Sequence, residues 1–150
     1  MANDASVTIQ ATVLPDEIAK TFSASMTVTP EDANDKWYYK KTSVSNSSTD
    51  LIAGNYTDYT AVDDDTAPTA VATGDKVKFI IIKTVDTNSR SIFIVLDAGT
   101  ASSSATDGIT IGPSEAFAAR LPNTTVADIH AISSASTAEV IVCALLDDVG

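Results

Sequence analysis

The fold class is decided by the stretch Lys76-Val77-Lys78-Phe79-Ile80-Ile81-Ile82-Lys83 and by Ser91-Ile92-Phe93-Ile94-Val95-Leu96-Asp97, which follows it after a polar turn. Both runs are short and rich in β-branched residues, which is typical of strands. Two such runs joined by a short turn predict a central hairpin. Apolar and polar residues do not alternate strictly in the middle of each run. We therefore expect both strands to be covered on both faces, by the facing sheet and a loop or by another subunit.

Closer to the N-terminus, the segments Val7–Val13 and Phe22–Pro30 alternate apolar and polar side chains with a period of two. This period predicts half-buried strands, of which the second is the clearest in the chain. Between them, Pro15–Lys20 has the proline and acidic residues of a helix start but is long enough for one turn only. The aromatic segment Lys36–Lys41 favours another strand.

The C-terminal third adds more short strands. Ile109–Ile111 is flanked by glycines, and Ser114–Leu121 is compatible with a strand or a helical turn. Val126–Ile132 and Ala138–Leu146 predict a second hairpin. About eight to ten short antiparallel strands at spacings of roughly 8 to 12 residues predict an all-β fold, a β-sandwich or jelly-roll-like structure with little helix. At 150 residues we expect a single domain spanning residues 1–150.

The charge balance argues against several classes of partner. Nine basic residues against twenty acidic ones give a formal charge of −11, which repels phosphate backbones and anionic lipids. We therefore expect no nucleic acid partner and no membrane partner. There is no signal-peptide pattern and no apolar run long enough to cross a bilayer, so we expect synthesis in a cytoplasm. The single cysteine, Cys143, excludes an intramolecular disulfide.

No pattern in the sequence indicates an enzyme. His130 is the only histidine, and although Asp128, Ser133 and Ser134 lie near it in sequence, no nucleophile elbow or glycine-rich oxyanion loop accompanies them. One histidine and one cysteine cannot supply a standard zinc site. The run Asp63–Asp65 and the pair Glu31 and Asp32 offer oxygen ligands for calcium, but neither has the spacing of a calcium-binding loop. Solvated acidic turns are the favoured interpretation, and calcium binding is the alternative. Phosphate-binding loops are missing, so we predict no cofactor and no metal.

The aromatic segment is the one candidate binding site. Trp37, Tyr38 and Tyr39 stand between Lys36 on one side and Lys40 and Lys41 on the other. Such aromatic residues can stack on bases or sugars. More often they pack in a core or at an interface while the lysines protect a sheet edge from unwanted pairing. We therefore take Trp37, Tyr38 and Tyr39 as candidate interface or ligand-stacking residues.

The C-terminal third contains a group of neighbouring segments: Ile109–Phe117 (ITIGPSEAF), Arg120-Leu121, Val126–Ile132 (VADIHAI) and a closing apolar strand that ends in Leu145-Leu146-Asp147-Asp148. Together these segments resemble small β-sandwich virion proteins of tailed bacteriophages. In such proteins a turn of glycine, proline, acidic and aromatic residues leads into the last strands. The likeness covers the chain from Ile109 onward and transfers no functional residues.

The resemblance implies a capsid decoration or cement protein, located in the virion and present in many copies. Its expected partners are the major capsid protein or another virion protein and further copies of itself, with a trimer as one arrangement. A neck or tail component is an alternative within the same group. A different class, a carbohydrate-binding module that uses Trp37, Tyr38 or Tyr39, also remains open.

Overall fold

The computed structural model describes residues 4–13, 20–57, 69–87, 89–104 and 108–149. Within these ranges the regular structure is almost entirely antiparallel strand, and the one helical element is a 3₁₀ turn at Val126–Asp128. The predicted all-β fold is thus confirmed. The strands are β1 (Ala5–Val13), β2 (Lys20–Val28), β3 (Asp35–Val44), β4 (Thr49–Asp50), β5 (Lys76–Thr84), β6 (Ile92–Val95), β7 (Ile109–Ile111), β8 (Ala116–Arg120), β9 (His130–Ser133) and β10 (Ala138–Asp147).

The chain divides into two compact units, Met1–Ala33 and Asn34–Gly150. The second unit contains two four-stranded sheets, with the strand orders β3-β10-β5-β8 and β4-β9-β6-β7. Four strand pairs are nested one inside the other along the chain: β3 with β10, β4 with β9, β5 with β8 and β6 with β7. A long hairpin of four nested pairs that folds over into two sheets has the strand order of a jelly roll.

One hydrophobic core joins the two sheets of the second unit. It is a sandwich core, since inward-facing residues of both sheets contribute to a single cluster. The strands β3, β5 and β10 supply Tyr38, Val44, Val77, Ile80, Ile82, Val140, Val142, Ala144 and Leu146, and the facing sheet supplies Ile92, Ile94, Ile111 and Ala131.

A β-bulge changes the facing of β5 between Val77 and Phe79. Leu145 of β10 lies opposite Phe79, but the next residue, Leu146, lies opposite Val77, so Lys78 is an extra residue on β5. An inserted residue reverses the facing of the strand beyond it. Val77 and Ile80 therefore both belong to the core cluster, while Phe79 lies on the opposite face. Phe79 and Ile80 are nevertheless both fully buried, so β5 is covered on both faces at this point.

Both hairpins predicted for the second unit are wrong. The strands β5 and β6 lie in different sheets, and so do β9 and β10. Each of these connections carries the chain across the sandwich instead of turning it back beside the same strand. The predicted strand at residues 126–132 is also shortened, because Val126–Asp128 forms the 3₁₀ turn and β9 begins at His130.

The first unit contains a hairpin that the sequence did not predict as a pair. β1 and β2 are antiparallel over their full lengths, with Ile9 opposite Ala24 and Thr8 opposite Ser25. Because facing residues share a side of the ribbon, one side is apolar and the other carries hydroxyl and amide groups. On the polar side, the hydroxyl oxygens of Thr12 and Thr21 are 3.1 Å apart.

Two predicted local features lie outside the described residues. They are the helical turn at residues 15–20, apart from Lys20 at the start of β2, and the acidic turn at Asp63–Asp65.

Candidate functional site

The three candidate aromatic residues lie on both faces of β3. Tyr38 is buried in the core, where its hydroxyl oxygen is 3.0 Å from the carbonyl oxygen of Ala53, to which it donates, and 3.3 Å from the Ala53 nitrogen. Burial raises the pKa of the Tyr38 phenol above its ordinary value. Trp37 and Tyr39 point to the opposite side, where Trp37 is half-buried and Tyr39 is 58% exposed. Only Trp37 and Tyr39 therefore share a surface.

That surface is the side of the sheet β3-β10-β5-β8 that faces away from the core, which we call the outer face. The strand register arranges its residues in three rows across the four strands. The rows are Trp37, Leu145, Phe79 and Arg120; Tyr39, Cys143, Ile81 and Ala118; and Lys41, Ile141, Lys83 and Ala116.

The outer face combines an apolar centre with basic positions at its margins. Leu145 and Phe79 are buried, whereas Cys143, Ile81 and Ala118 are partly exposed. Lys41, Lys83 and Arg120 are exposed, and Lys41 forms an ion pair with Glu139. An antiparallel sheet normally presents polar residues on a solvated face. The outer face departs from this pattern, because its centre is apolar, and it is therefore the candidate contact surface.

The edge position of β3 accounts for its lysines. Among the described strands, β3 is the outermost of its sheet, and on its open side the carbonyl of Trp37 accepts from the backbone nitrogen of Thr57 at 2.9 Å. Lysines on such a strand discourage pairing with other chains. Two of them are anchored, because Lys36 forms an ion pair with Asp148 and Lys40 donates to the carbonyl of Ala53 at 3.1 Å.

Cys143 lies in the middle row of the outer face, opposite Tyr39 and next to Ile81. Burial raises the pKa of its thiol, because desolvation disfavours the thiolate. We expect iodoacetamide at pH 8 to alkylate Cys143 at least about tenfold more slowly in the native protein than in urea. Mass spectrometry over a time course measures this directly, since the chain has no other cysteine. Equal rates in the two states would contradict the burial.

His130 is not assembled into a catalytic triad. Its Nδ1 is 2.8 Å from the carbonyl oxygen of Gly99, and its Nε2 is 3.2 Å from Asp50. Because a carbonyl can only accept, Nδ1 carries the proton. The Asp128 carboxylate accepts instead from the backbone nitrogen and the hydroxyl of Thr125, at 2.7 and 2.9 Å.

The two neighbouring serines are also engaged in structural contacts. Ser133 is buried and donates to the carbonyl of Ala135 at 3.2 Å, and the hydroxyl of Ser134 accepts from the backbone nitrogen of Ser91. The residues around His130 therefore connect β9 to neighbouring loops.

Sequence reasoning missed a buried carboxylate at Asp75. Its side chain is fully buried, and it accepts from the Tyr56 hydroxyl, from the Ala72 nitrogen at 2.7 Å and from the Val149 nitrogen at 3.2 Å. Burial raises the pKa of the Tyr56 phenol, and the hydrogen bond to Asp75 and the negative charges of Asp75, Asp148 and Asp147 raise it further. The signal in the sequence is Thr73-Gly74-Asp75, which resembles an ordinary exposed turn.

Charged side chains at the start of β3 make a further set of structural contacts, which we call the structural cluster. The Lys36 ammonium lies 5.4 Å from the centre of the Tyr56 ring, within the range of a cation–π contact. Lys78 lies 2.8 Å from the buried carboxylate of Asp35. The cluster fastens the start of β3, the bulged part of β5 and the residues after β10 to one another.

Neither metal nor membrane chemistry gains support from the described residues. Across those ranges, no group of three or more His, Cys, Asp or Glu side chains is placed to hold a metal ion. No helix in the described part of the chain is long and apolar enough to span a membrane. Comparisons with protein-family models, with curated proteins and with solved structures gave no match.

Proposed function

We propose that this protein is a structural protein of a phage virion, a capsid decoration or cement protein. It binds the outside of the head and stabilises the shell by bridging neighbouring subunits. The observation that carries the proposal is the outer face, whose partly exposed centre of Tyr39, Cys143, Ile81 and Ala118 suits contact with another protein. The jelly-roll strand order is compatible with it, since this architecture occurs in viral capsid proteins, although a fold alone does not define a function.

Charge also supports a position on the outside of a head. A chain of charge −11 avoids capture by DNA, while the outer face carries Lys83 and Arg120 at its margin and Lys41 paired with Glu139. The partners are then the major capsid protein and further copies of this chain, and the protein is made in the host cytoplasm and resides in the virion. A neck or tail position would use the same face.

The test is binding to emptied, expanded heads that lack this protein. We expect the purified chain to co-sediment with expanded heads and to raise their melting temperature. Tyr39→Ala should weaken binding about tenfold or more, because exposed aromatic residues at the centre of an interface often contribute this much. The control is Thr110→Ala, an exposed position on β7 of the other sheet. Absence of wild-type binding to expanded heads would refute the proposal.

The same variants examine the carbohydrate-binding alternative. Tyr39 and Trp37 share the outer face, whereas Tyr38 is in the core, so a sugar would stack on the first two only. This alternative would be favoured if the wild type binds a glycan and does not bind heads. Tyr39→Ala should then abolish glycan binding, and Thr110→Ala should retain it.

A further inference from the structure

The β1–β2 hairpin has an apolar side that is largely open. It carries four facing pairs of apolar residues, and Val13 faces Lys20 beyond them. At the far half of the hairpin, Phe22 is 54% exposed, Val13 43% and Ile9 42%, and Ala24 is exposed as well. The four facing pairs are Ala5 with Val28, Val7 with Met26, Ile9 with Ala24 and Ala11 with Phe22.

A solvent-exposed apolar side is unusual for a two-stranded hairpin. A two-stranded hairpin is marginally stable in water unless its apolar side packs against something else. Regular pairing over nine residues on each strand therefore calls for a partner at the exposed half.

We propose that this apolar side docks face to face on the same side of the hairpin of a second copy. Charge on this side permits an identical partner. Two chains of charge −11 repel each other over most of their surfaces, but the five described pairs on this side include a single charged residue, Lys20. Packing these pairs against their copies thus buries no carboxylate, which would be costly.

The shapes of the residues are also self-complementary. At the exposed half, large Ile9 faces small Ala24, and small Ala11 faces large Phe22. The large residues therefore lie on one diagonal of this patch and the small ones on the other. When two identical patches meet about a two-fold axis, each large side chain can enter the space over a small one, as layers interdigitate in a packed core.

The size of the contact makes the association weak. The open half of the hairpin covers about five residues of each strand, or about 17 Å, and two strands are about 10 Å wide, so each copy contributes about 170 Å². A stable interface uses about 800 Å² from each partner. The hairpin contact therefore operates at high local concentration, as between copies that occupy adjacent sites on a surface.

The inference rests on the self-association in the proposed function but does not require a shell. Association of the wild type without binding to heads would refute the virion proposal and leave the hairpin contact standing. If the chain binds heads but shows no hairpin contact, the hairpin contact is refuted and the virion proposal stands.

The experiment uses adjacent residues on opposite sides of β2. Ala24 lies on the apolar side and Ser25 on the polar side, and both are exposed. Sedimentation of the full chain from about 10 μM to about 1 mM should show association of the wild type and of Ser25→Glu but not of Ala24→Glu. Added salt should strengthen the association, because it screens the repulsion between acidic copies. A wild type that is monomeric throughout, or an Ala24→Glu variant that associates normally, would overturn the proposal.

Cross-linking tests whether the hairpin contacts the hairpin of the second copy or a different part of that copy. In a Cys143→Ser background, a bismaleimide reagent that spans about 10 Å should join Ala24→Cys to its copy, because packed sheets lie about 10 Å apart, whereas Ser25→Cys on the polar side should be joined at least about tenfold less. If Ala24→Glu blocks association but Ala24→Cys does not cross-link, the hairpin docks elsewhere on its partner and the face-to-face arrangement is wrong.

Discussion

Replacing Asp75 with alanine should lower the free energy of unfolding by about 3 kcal/mol, although Asp75 lies in a turn. The substitution removes the acceptor used by the Tyr56 hydroxyl and by the backbone nitrogens of Ala72 and Val149. A buried donor that loses its partner costs about 1 to 3 kcal/mol, and the two backbone groups can partly recover by binding water. For a chain of this length the melting temperature should fall by about 6 to 12 °C. Urea denaturation and calorimetry measure both quantities.

The matched control for this prediction is Asp97→Ala. Asp97 also lies in a turn and accepts from a backbone nitrogen, that of Gly99 at 3.0 Å, but it is exposed. An exposed turn carboxylate should contribute less than about 0.5 kcal/mol. Equal losses for the two variants would show that the buried network around Asp75 does not stabilise the fold.

The existence of the strands could be predicted from the sequence, but their pairing could not. The period of two in Phe22–Val28 and the β-branched run Phe79–Ile82 depend only on local side-chain order, and both are strands. Pairing depends on contacts between residues far apart in the chain. β3 pairs with β10 at the other end of the second unit, and no local pattern encodes this.

The two wrong hairpins illustrate this limit. The connection between β5 and β6 contains seven residues, Val85–Ser91, which exceeds the usual two to five residues of a hairpin loop. A connection of this length is compatible with a crossing between sheets. The two apolar runs on either side nevertheless favoured a hairpin, which is why the prediction was wrong. At Val126–Asp128 the alternation predicted strand, while Thr125 and Asp128, three residues apart, carried the competing signal of a helical turn.

The candidate site was partly accessible to the same reasoning. Alternation along β3 places Trp37 and Tyr39 on one face and Tyr38 on the other, but it does not indicate which face meets the core. The outer face itself depends on the register of four strands and on the bulge at Lys78, both of which arise only in the folded chain. The Asp75 network likewise needs Tyr56 and Val149 to converge on one turn.

Replacing Ile82 with alanine should be far more destabilising than the same change at Ile81. Ile82 is fully buried in the sandwich core, where it lies between Val142 and Phe117 on the neighbouring strands. Truncation of such a residue costs about 2 to 5 kcal/mol, because it removes buried area and leaves a cavity. Ile81 lies on the outer face and is only half-buried, so its truncation should cost about 1 kcal/mol. Urea denaturation of the two variants, with unchanged m-values, measures the difference.

The comparison between Ile81 and Ile82 also separates stability from binding. If the outer face contacts another protein, Ile81→Ala should retain a stable fold and bind expanded heads more weakly, since Ile81 lies beside Cys143 and Ala118 at the centre of that face. A loss of stability at Ile81 equal to that at Ile82 would mean that the outer face is a second core of the folded chain. The inner and outer faces of β5 would then both serve folding, and the surface available to a partner would lie elsewhere.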